Sequence, residues 1–366
     1  MLTLAPTRIF VVPSWSRQSL EIRTYTKNNV IPQLARWAGY VVGRGRVPLS
    51  RHPAWGLTLD NSLLHSPFWL EARRGAETCG LLVLSHVRSF LFGRYLVSLP
   101  YLNYGGVLAE DEAAARALVD RAVDLADELD VRFLELRQEQ AIPHSALMQR
   151  PNAKVNMQVR LPGTAEELWR RLSPKVRNQV RKAQKGGLQV RWGRHELLPD
   201  FYSVFSRNMR DLGTPVYGRA LFGGALETFP DRSELAMVYC ASEPVAGAIC
   251  LHGWGVSEVP SASGLRSFRH TNANMLLYWH MLMRAIARRQ TIFDFGRSSP
   301  DSNTYRFKKQ WGAIPQPTQW QYYLRSGSVS DVRIDNPKYE RLIHLWQHLP
   351  VSLTRWIGPS IVRGIP

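Results

Sequence analysis

Apolar positions along this chain keep two rhythms, that of buried strands and that of amphipathic helices. Cys79-Gly80-Leu81-Leu82-Val83-Leu84 is an unbroken apolar run of strand length, which suits a strand covered on both faces. Another apolar stretch, Tyr95 to Leu102, leads into Asp111–Leu129, where Ala115, Leu118, Ala122, Leu125 and Leu129 recur at helical spacing. Val131–Leu136 then reads as a short strand. About 160 residues further on the order returns. Ala246-Gly247-Ala248-Ile249-Cys250-Leu251 opens it, and Asn272–Arg289 predicts a helix that buries Met275, Trp279, Leu282 and Ile286. Thr291–Phe295 closes the unit. Strand, strand, helix, strand, repeated at this interval, predicts duplication of one α/β domain.

Between the repeats, Ala141–Asn156 carries two prolines and reads as the junction. Thr164 with Glu167 forms a capping box, Ser173-Pro174 starts the next helix, and Gly186-Gly187 ends it. The expected division is 1–152, 153–325 and a tail, 326–366. Residues 341–366 hold Trp346, Trp356, Pro350, Pro359, three arginines and no acid, which suits packing on the body or contact with lipid.

The length of 366 residues fits two domains, and 45% hydrophobic content is ample for their cores. A net charge of +18 calls for an anionic partner, whether RNA, a phosphorylated ligand or an acidic membrane surface. Cys79, Cys240 and Cys250 sit in apolar runs without metal-type spacing and read as reduced core residues of a cytoplasmic protein. No cleavable leader is recognisable, and no run reaches the ~18 apolar residues a membrane span needs. The expectation is a soluble protein that at most lies on the inner face of the plasma membrane.

Charge is concentrated in one place. Arg171 to His195 contains eight Lys/Arg residues and no acid. On the helix after Ser173, Arg177, Arg181 and Lys185 recur every four residues, with Lys182 beside them, while Val176, Val180 and Ala183 line the opposite side. A solvated face normally mixes signs to gain pairing between turns. This one suits a phosphate-rich ligand, whereas Glu110 to Glu139 in the first repeat is acidic.

The densest chemistry lies at Phe293-Asp294-Phe295-Gly296-Arg297-Ser298 and Tyr305-Arg306-Phe307-Lys308-Lys309-Gln310-Trp311-Gly312. Cations held among aromatics suit an anionic group. The bland alternative is an edge strand with solvated charges. Asp294 alternates out of phase with Phe293 and Phe295, so it faces away from whatever those rings pack on. It and Asp301 are the nearby carboxylates able to accept a proton, or Asp294 makes a structural hydrogen bond. No nucleophile elbow, Cys/His pair or His-Glu-x-x-His motif is present, so no metal and no covalent enzyme intermediate are expected. Leu265–Asn272, before the long helix, lacks the glycines of a pyrophosphate cradle, although Thr271 can cap the helix and Arg266 and Arg269 can bind anions.

These motifs resemble those of the FemAB-related proteins, in particular the branch linked to bacterial exosortase/PEP-CTERM systems. The likeness runs over nearly the whole chain. It rests on Asn272, Asn274 and Leu276-Leu277-Tyr278-Trp279 ahead of Phe293–Ser298, on Phe307-Lys308-Lys309-Gln310-Trp311-Gly312, on Pro174-Lys175-Val176-Arg177, and on Leu349-Pro350 and Gly358-Pro359. One departure is Asp301-Ser302-Asn303-Thr304, where the branch has a Gly-Thr-Gly-like turn. The resemblance implies an α/β fold of two tandem GNAT-like domains, mixed sheets flanked by helices, with the tail packing back on the first. It implies transfer of an acyl or aminoacyl group, from aminoacyl-tRNA or an acyl thioester, to an amine or hydroxyl of a peptidoglycan or exopolysaccharide-linked precursor. No bound cofactor is implied. Partners would be the anionic donor or acceptor: tRNA, or a nucleotide-linked or lipid-linked precursor. Lys308 then becomes the active-site cation, with Asp294, Arg297 and Tyr305 around it. Arg177, Arg181, Lys182, Arg266, Arg269, Asn272, Lys309 and Trp311 become substrate- or phosphate-binding candidates. A GNAT-type enzyme acting on a small metabolite and a non-enzymatic RNA or polyanion binder remain as alternatives.

Overall fold

Two runs of extended and helical sequence fold into two sheets, and the second repeats the hydrogen-bonding order of the first. The structure is a computed structural model and describes residues 19–90, 92–149, 154–326 and 340–365. The expected boundary between 152 and 153 lies outside them. The first run contributes β1 (Leu20–Thr26), α1 (Leu34–Gly43), α2 (Trp55–Leu63), β2 (Ser66–Arg74), β3 (Glu77–Ser89), β4 (Gly93–Val97), β5 (Leu108–Ala109), α3 (Glu112–Glu128), β6 (Phe133–Gln138) and β7 (Met148–Gln149). The second contributes β8 (Val155–Arg160), α4 (Ala165–Arg171), α5 (Pro174–Lys185), β9 (Gln189–Gly193), α6 (Leu198–Asp211), α7 (Arg219–Thr228), β10 (Ser233–Cys240), β11 (Glu243–His252), β12 (Val256–Gly264), α8 (Ala273–Ala287), β13 (Ile292–Ser298), α9 (Asn303–Lys309) and β14 (Ile314–Gln316). β15 (Gln319–Leu324), α10 (Glu340–His348) and α11 (Val351–Val362) complete the described chain.

The first sheet has the order β1-β2-β3-β4-β6-β15-β7, with β5 beside β3, and the second β14-β8-β13-β12-β11-β10-β9. In each, an antiparallel meander is followed by a helix and a parallel return strand: β2-β3-β4, α3 and β6, then β10-β11-β12, α8 and β13. The fold is a mixed α/β one, two sheets flanked by helices, with the duplication that the repeat predicted and the mixed sheets that the resemblance implied. The helix starts follow their local chemistry. The Thr164 hydroxyl accepts from the Glu167 N–H, and the Ser173 hydroxyl from the Val176 N–H, each satisfying an amide the helix cannot.

Two expected assignments are corrected. The second unit was expected to run to 325, but β15 pairs along β6 in the first sheet, Trp320 opposite Arg137 and Tyr322 opposite Glu135. Trp320 and Tyr322 pack there on Tyr95 and Phe133. The tail was expected on the first domain. Its helices instead pack on α6 of the second, because their polar anchors lie there. Arg210 donates to the Leu349 carbonyl at 3.0 Å and Arg355 to the Ser206 hydroxyl at 2.6 Å. The first half is met by the last turn, where the Tyr101 hydroxyl donates to the Arg363 carbonyl at 3.3 Å.

Apolar side chains fill one core on the α3 face, one on the α5 and α8 face, and a third shared between the halves. The shared core holds Trp37, Trp55 and Trp69 with Phe201, Phe205 and Phe222, around the packing of α2 on α7. Backbone bonds cross with it, Val47 N–H to the Trp254 carbonyl at 2.9 Å and Trp254 N–H back at 2.8 Å. Beside this bridge the fully enclosed Glu258 carboxyl accepts from the Ser50 amide at 2.7 Å and hydroxyl at 2.8 Å.

Burial, helped by Asp294 and Glu139 nearby and opposed by the Ser50 bonds, pushes Glu258 from 4.5 up to about 8. Between those values the folded chain holds a proton that the unfolded chain releases. This contribution is complete below about pH 4.5 and is lost as pH rises through about 8. Wild type should lose melting temperature from pH 5 to pH 8, and Glu258→Gln, which keeps the shape and stays neutral, should flatten that fall. Identical slopes in the two proteins would remove Glu258 as the cause.

Candidate active site

The site begins where two parallel strands stop pairing. β12 and β13 are bonded at Val256–Ile292, Ser257–Phe293 and Glu258–Asp294 and then part. β12 continues along β11 to Gly264, while β13 shifts register against β8 between Asp294 and Arg297. The shift has a local cause: Gly296 sits at φ 76°, a left-handed conformation that only glycine adopts without strain. A Cβ there would meet the Asn103 side-chain amide and the Val259 carbonyl oxygen, each at 3.3 Å. A cavity of about 390 Å³ opens in the splay, between Val259, Pro260 and Ala262 on one wall and Phe295–Ser299 on the other. Asn103 of the first half, Lys154, Tyr278, Thr304 and Lys308 complete its lining.

Asp294 lies beneath this turn, wholly buried, on the face opposite Phe293 and Phe295, as the alternation predicted. It accepts from the Tyr104 hydroxyl, from Gln158 Nε2 at 2.9 Å and from the Gly296 amide at 2.6 Å. Burial raises it above the ordinary carboxylate range, and these three bonds oppose the rise. The carboxyl is an anchor between the halves that touches the cavity only through the Gly296 turn.

Lys308 enters from α9, which Ser302 caps by accepting from the Tyr305 N–H at 3.2 Å. Its Nζ donates to the Gly296 carbonyl at 3.1 Å and the Arg297 carbonyl at 2.9 Å. An ammonium has three donors, so one position remains for a ligand. Burial pulls Lys308 down to about 8, against the upward pull of Asp294 and with the downward push of Arg297. Arg297 donates through Nε to Asn103 Oδ1 at 3.1 Å, and its guanidinium stacks 4.2 Å from the Trp320 ring centre. Burial first, then the charge of Arg137, lowers it to about 10.

A second cavity, about 200 Å³, lies at the start of α8 and includes Arg269, Asn272, Asn274 and Gln179 of α5. Asn272 is left-handed at φ 61°, and the Gln179 Oε1 is buried with no hydrogen-bond partner among the described residues. Tyr278 lines the first cavity and Phe307 the second; their rings meet edge to face at 5.0 Å. In the first half, the start of α3 borders a cavity of about 510 Å³ lined by Glu110, Asp111, Glu112 and Glu139. Each of these acids is paired with an arginine, Glu110 with Arg44, Asp111 with Arg74, Glu112 with Arg116 and Glu139 with Arg51, which itself lines the cavity.

Thus Lys308, Arg297 and, beneath them, Asp294 come together, and Arg269 and Asn272 meet at the second cavity. Other candidates are elsewhere. Trp311 is buried in the second core, and Tyr305 packs half-buried against that core. Lys309 is exposed on α9 and does not line either cavity. Arg266 donates to the Asp211 carbonyl at 2.7 Å. Arg181 and Lys182 are exposed on α5, with Arg181 5.4 Å from the Trp169 ring centre. Arg177 is half-buried, its Nε without a hydrogen-bond partner among the described residues. Sequence reasoning missed Asn103, Tyr104 and Gln158, and saw Tyr278 only as part of a helix. Nothing local to these residues marks them.

The description "acetyltransferase (GNAT) domain" matches residues 170–309, from the end of α4 through α9 and across both cavities. FemX superposes with a TM-score of 0.59 at 15% identity, covering 84% of this chain and 98% of its own. The chain has the tandem GNAT fold. L-PGS from Bacillus licheniformis, at 12% identity, covers 90% of this chain and 97% of its own with a TM-score of 0.51. A tandem GNAT protein from the clavulanic acid biosynthesis pathway, at 11% identity, covers 85% and 100% with a TM-score of 0.50. No curated protein matches the sequence.

The turn at Gly296 gives a direct test of the splay. Gly296→Ala should cost about 1–2 kcal/mol of stability from the left-handed backbone alone, read as a lowered urea midpoint. An unchanged midpoint would mean that the turn relaxes freely and does not hold the strands apart.

Proposed function

We propose that this chain is an acyltransferase that passes an acyl or aminoacyl group directly from donor to an amine or hydroxyl of an anionic acceptor. The acceptor class that fits is a cell-envelope precursor, peptidoglycan or exopolysaccharide-linked, as in the exosortase/PEP-CTERM-associated branch. The observation that carries this reading is the Lys308 ammonium in the splay between β12 and β13, held by two carbonyls with one position left over. The GNAT domain match over 170–309 supports the reaction class.

In the proposed reaction the acceptor nitrogen or oxygen attacks the donor's acyl carbon within the splay. The carbonyl π electrons move onto oxygen, and Arg297 or protonated Lys308 stabilises the resulting oxyanion. Collapse re-forms the carbonyl and breaks the bond to the leaving group, a thiolate from a thioester or a ribose hydroxyl from an aminoacyl-tRNA. The nucleophile's proton passes to neutral Lys308 or to the departing group. With a value of about 8, Lys308 exists in both forms near neutral pH, as either role requires. Donor phosphates would sit in the second cavity with Arg269 and Asn272. The exposed Arg181 and Lys182 on α5 suit the backbone of a longer donor such as tRNA.

The full chain would be incubated with labelled aminoacyl-tRNA and, separately, with acyl thioesters, against a panel of amine acceptors that includes nucleotide-linked envelope precursors. Lys308→Met should lower transfer at least ~100-fold and leave the melting temperature within a few degrees of wild type. Full turnover in that variant would sink the assignment, as would a loss explained by unfolding.

Donor type has its own measurement. If tRNA is the donor, Arg181→Ala with Lys182→Ala should raise its KM, and wild-type affinity should fall as salt rises. A salt-independent KM unchanged in the double variant would remove α5 from the site and favour a small thioester.

A further inference from the structure

The tail leaves an apolar face uncovered. α10 turns Ile343, Trp346 and Gln347 inward, with Ile343 against Gly213 and Gln347 donating to the Asp211 carbonyl at 3.3 Å. Its outward positions are Arg341, Leu342, His344, Leu345 and His348. α11 buries Thr354, Gly358 and Val362 and turns Leu353, Trp356 and Arg363 outward, at intervals of three and seven residues on one helical face. Leu342 is 60% exposed, Leu345 61% and Trp356 77%. Two neighbours extend the surface. Leu212 is exposed beside Gly213, and Phe90 is exposed next to Ser89, against which Gly364 lies.

Burying these side chains would be favourable, and the described residues do not do it. Their setting says what would. Residues 341–366 hold three arginines and no acid, in a chain of net charge +18. Two copies meeting through this face would bring like charges together. Short amphipathic helices with leucine and tryptophan on one side, rimmed by arginine and with Glu340 at the start of α10 as their one acid, match the boundary of an anionic bilayer. No helix among the described residues is long and apolar enough to cross a membrane.

We propose that the outer face of α10 and α11 is a docking surface for anionic lipid bilayers, with Leu342, Leu345 and Trp356 entering the headgroup boundary. The inference rests on this surface alone and is independent of the acyl-transfer reading.

The test is co-sedimentation of the full chain with phosphatidylglycerol-rich vesicles and with pure phosphatidylcholine vesicles. Wild type should pellet with the first, much less with the second, and be released by salt. Leu345→Ser with Trp356→Ser should weaken binding about tenfold or more. Arg341→Gln with Arg363→Gln should weaken it by a similar factor and reduce the salt dependence. Both pairs are exposed, so melting temperatures should match wild type. Wild type remaining in the supernatant at low salt would overturn the proposal. So would either double variant pelleting like wild type. A wild-type dimer that Leu345→Ser with Trp356→Ser converts to monomer would assign the face to a second copy instead.

Discussion

Enclosing the Asp294 carboxyl is the constraint on which the rest of the site depends. A carboxyl taken wholly out of water must find hydrogen-bond donors. Its three come from different places: Tyr104 from the first half, Gln158 from the adjacent strand and the Gly296 amide from its own turn. The first donor holds the halves together at this point. The third bends β13 away from β12 and turns the carbonyls of Gly296 and Arg297 toward Lys308. Seam, splay and lysine are thus consequences of satisfying one buried group, which suits an anchoring role for Asp294 better than a proton-accepting one.

The duplicated half makes the same start and ends differently. Glu135 occupies the position of Asp294, the last pairing of the parallel strands β4 and β6 opposite Val97. An arginine follows in both, Arg137 and Arg297, and the two guanidiniums lie 4.5 and 4.2 Å from the centre of one ring, Trp320. Arg137 is absorbed by its own half, donating to Glu135 at 2.8 Å and to the Leu102 carbonyl at 2.8 Å. Arg297 reaches across to Asn103 and lines an open cavity. The cavities at the helix starts diverge as well, acids beside α3 and Arg269 beside α8.

What could be read from sequence was what neighbours in sequence decide. The helical spacing of Leu118 to Leu125 and of Met275 to Leu282, the caps at Thr164 and Ser173, and the two-residue alternation around Asp294 depend on local geometry, and each is present, although Ala115, Leu129 and Ile286, expected in the same buried stripes, are half-buried. The sheet of β15 was not legible, because alternating Trp320 and Tyr322 specify a strand and not its partner. Nor was α9, since Tyr305–Lys309 also reads as a returning strand until Ser302 is seen to cap it. Asn103, Tyr104 and Ser50 matter through residues more than 150 positions away, and a side chain that waits for such a partner leaves no local pattern.

The seam therefore carries two ionisable groups that burial drives toward neutrality in opposite senses. Glu258, raised to about 8, favours folding in its protonated form, and that contribution fades as pH climbs toward 8. Lys308, lowered from 10.5 to about 8, disfavours folding while charged, and that penalty is relieved from pH 8 to 10.5. From these two groups alone, stability is lowest near the pH at which Lys308 begins to offer a lone pair. A fold selected only to persist would replace both with apolar side chains. Keeping them, one behind the cavity and one within it, is the pattern expected where a perturbed lysine is needed for chemistry and the joint between halves must tolerate it.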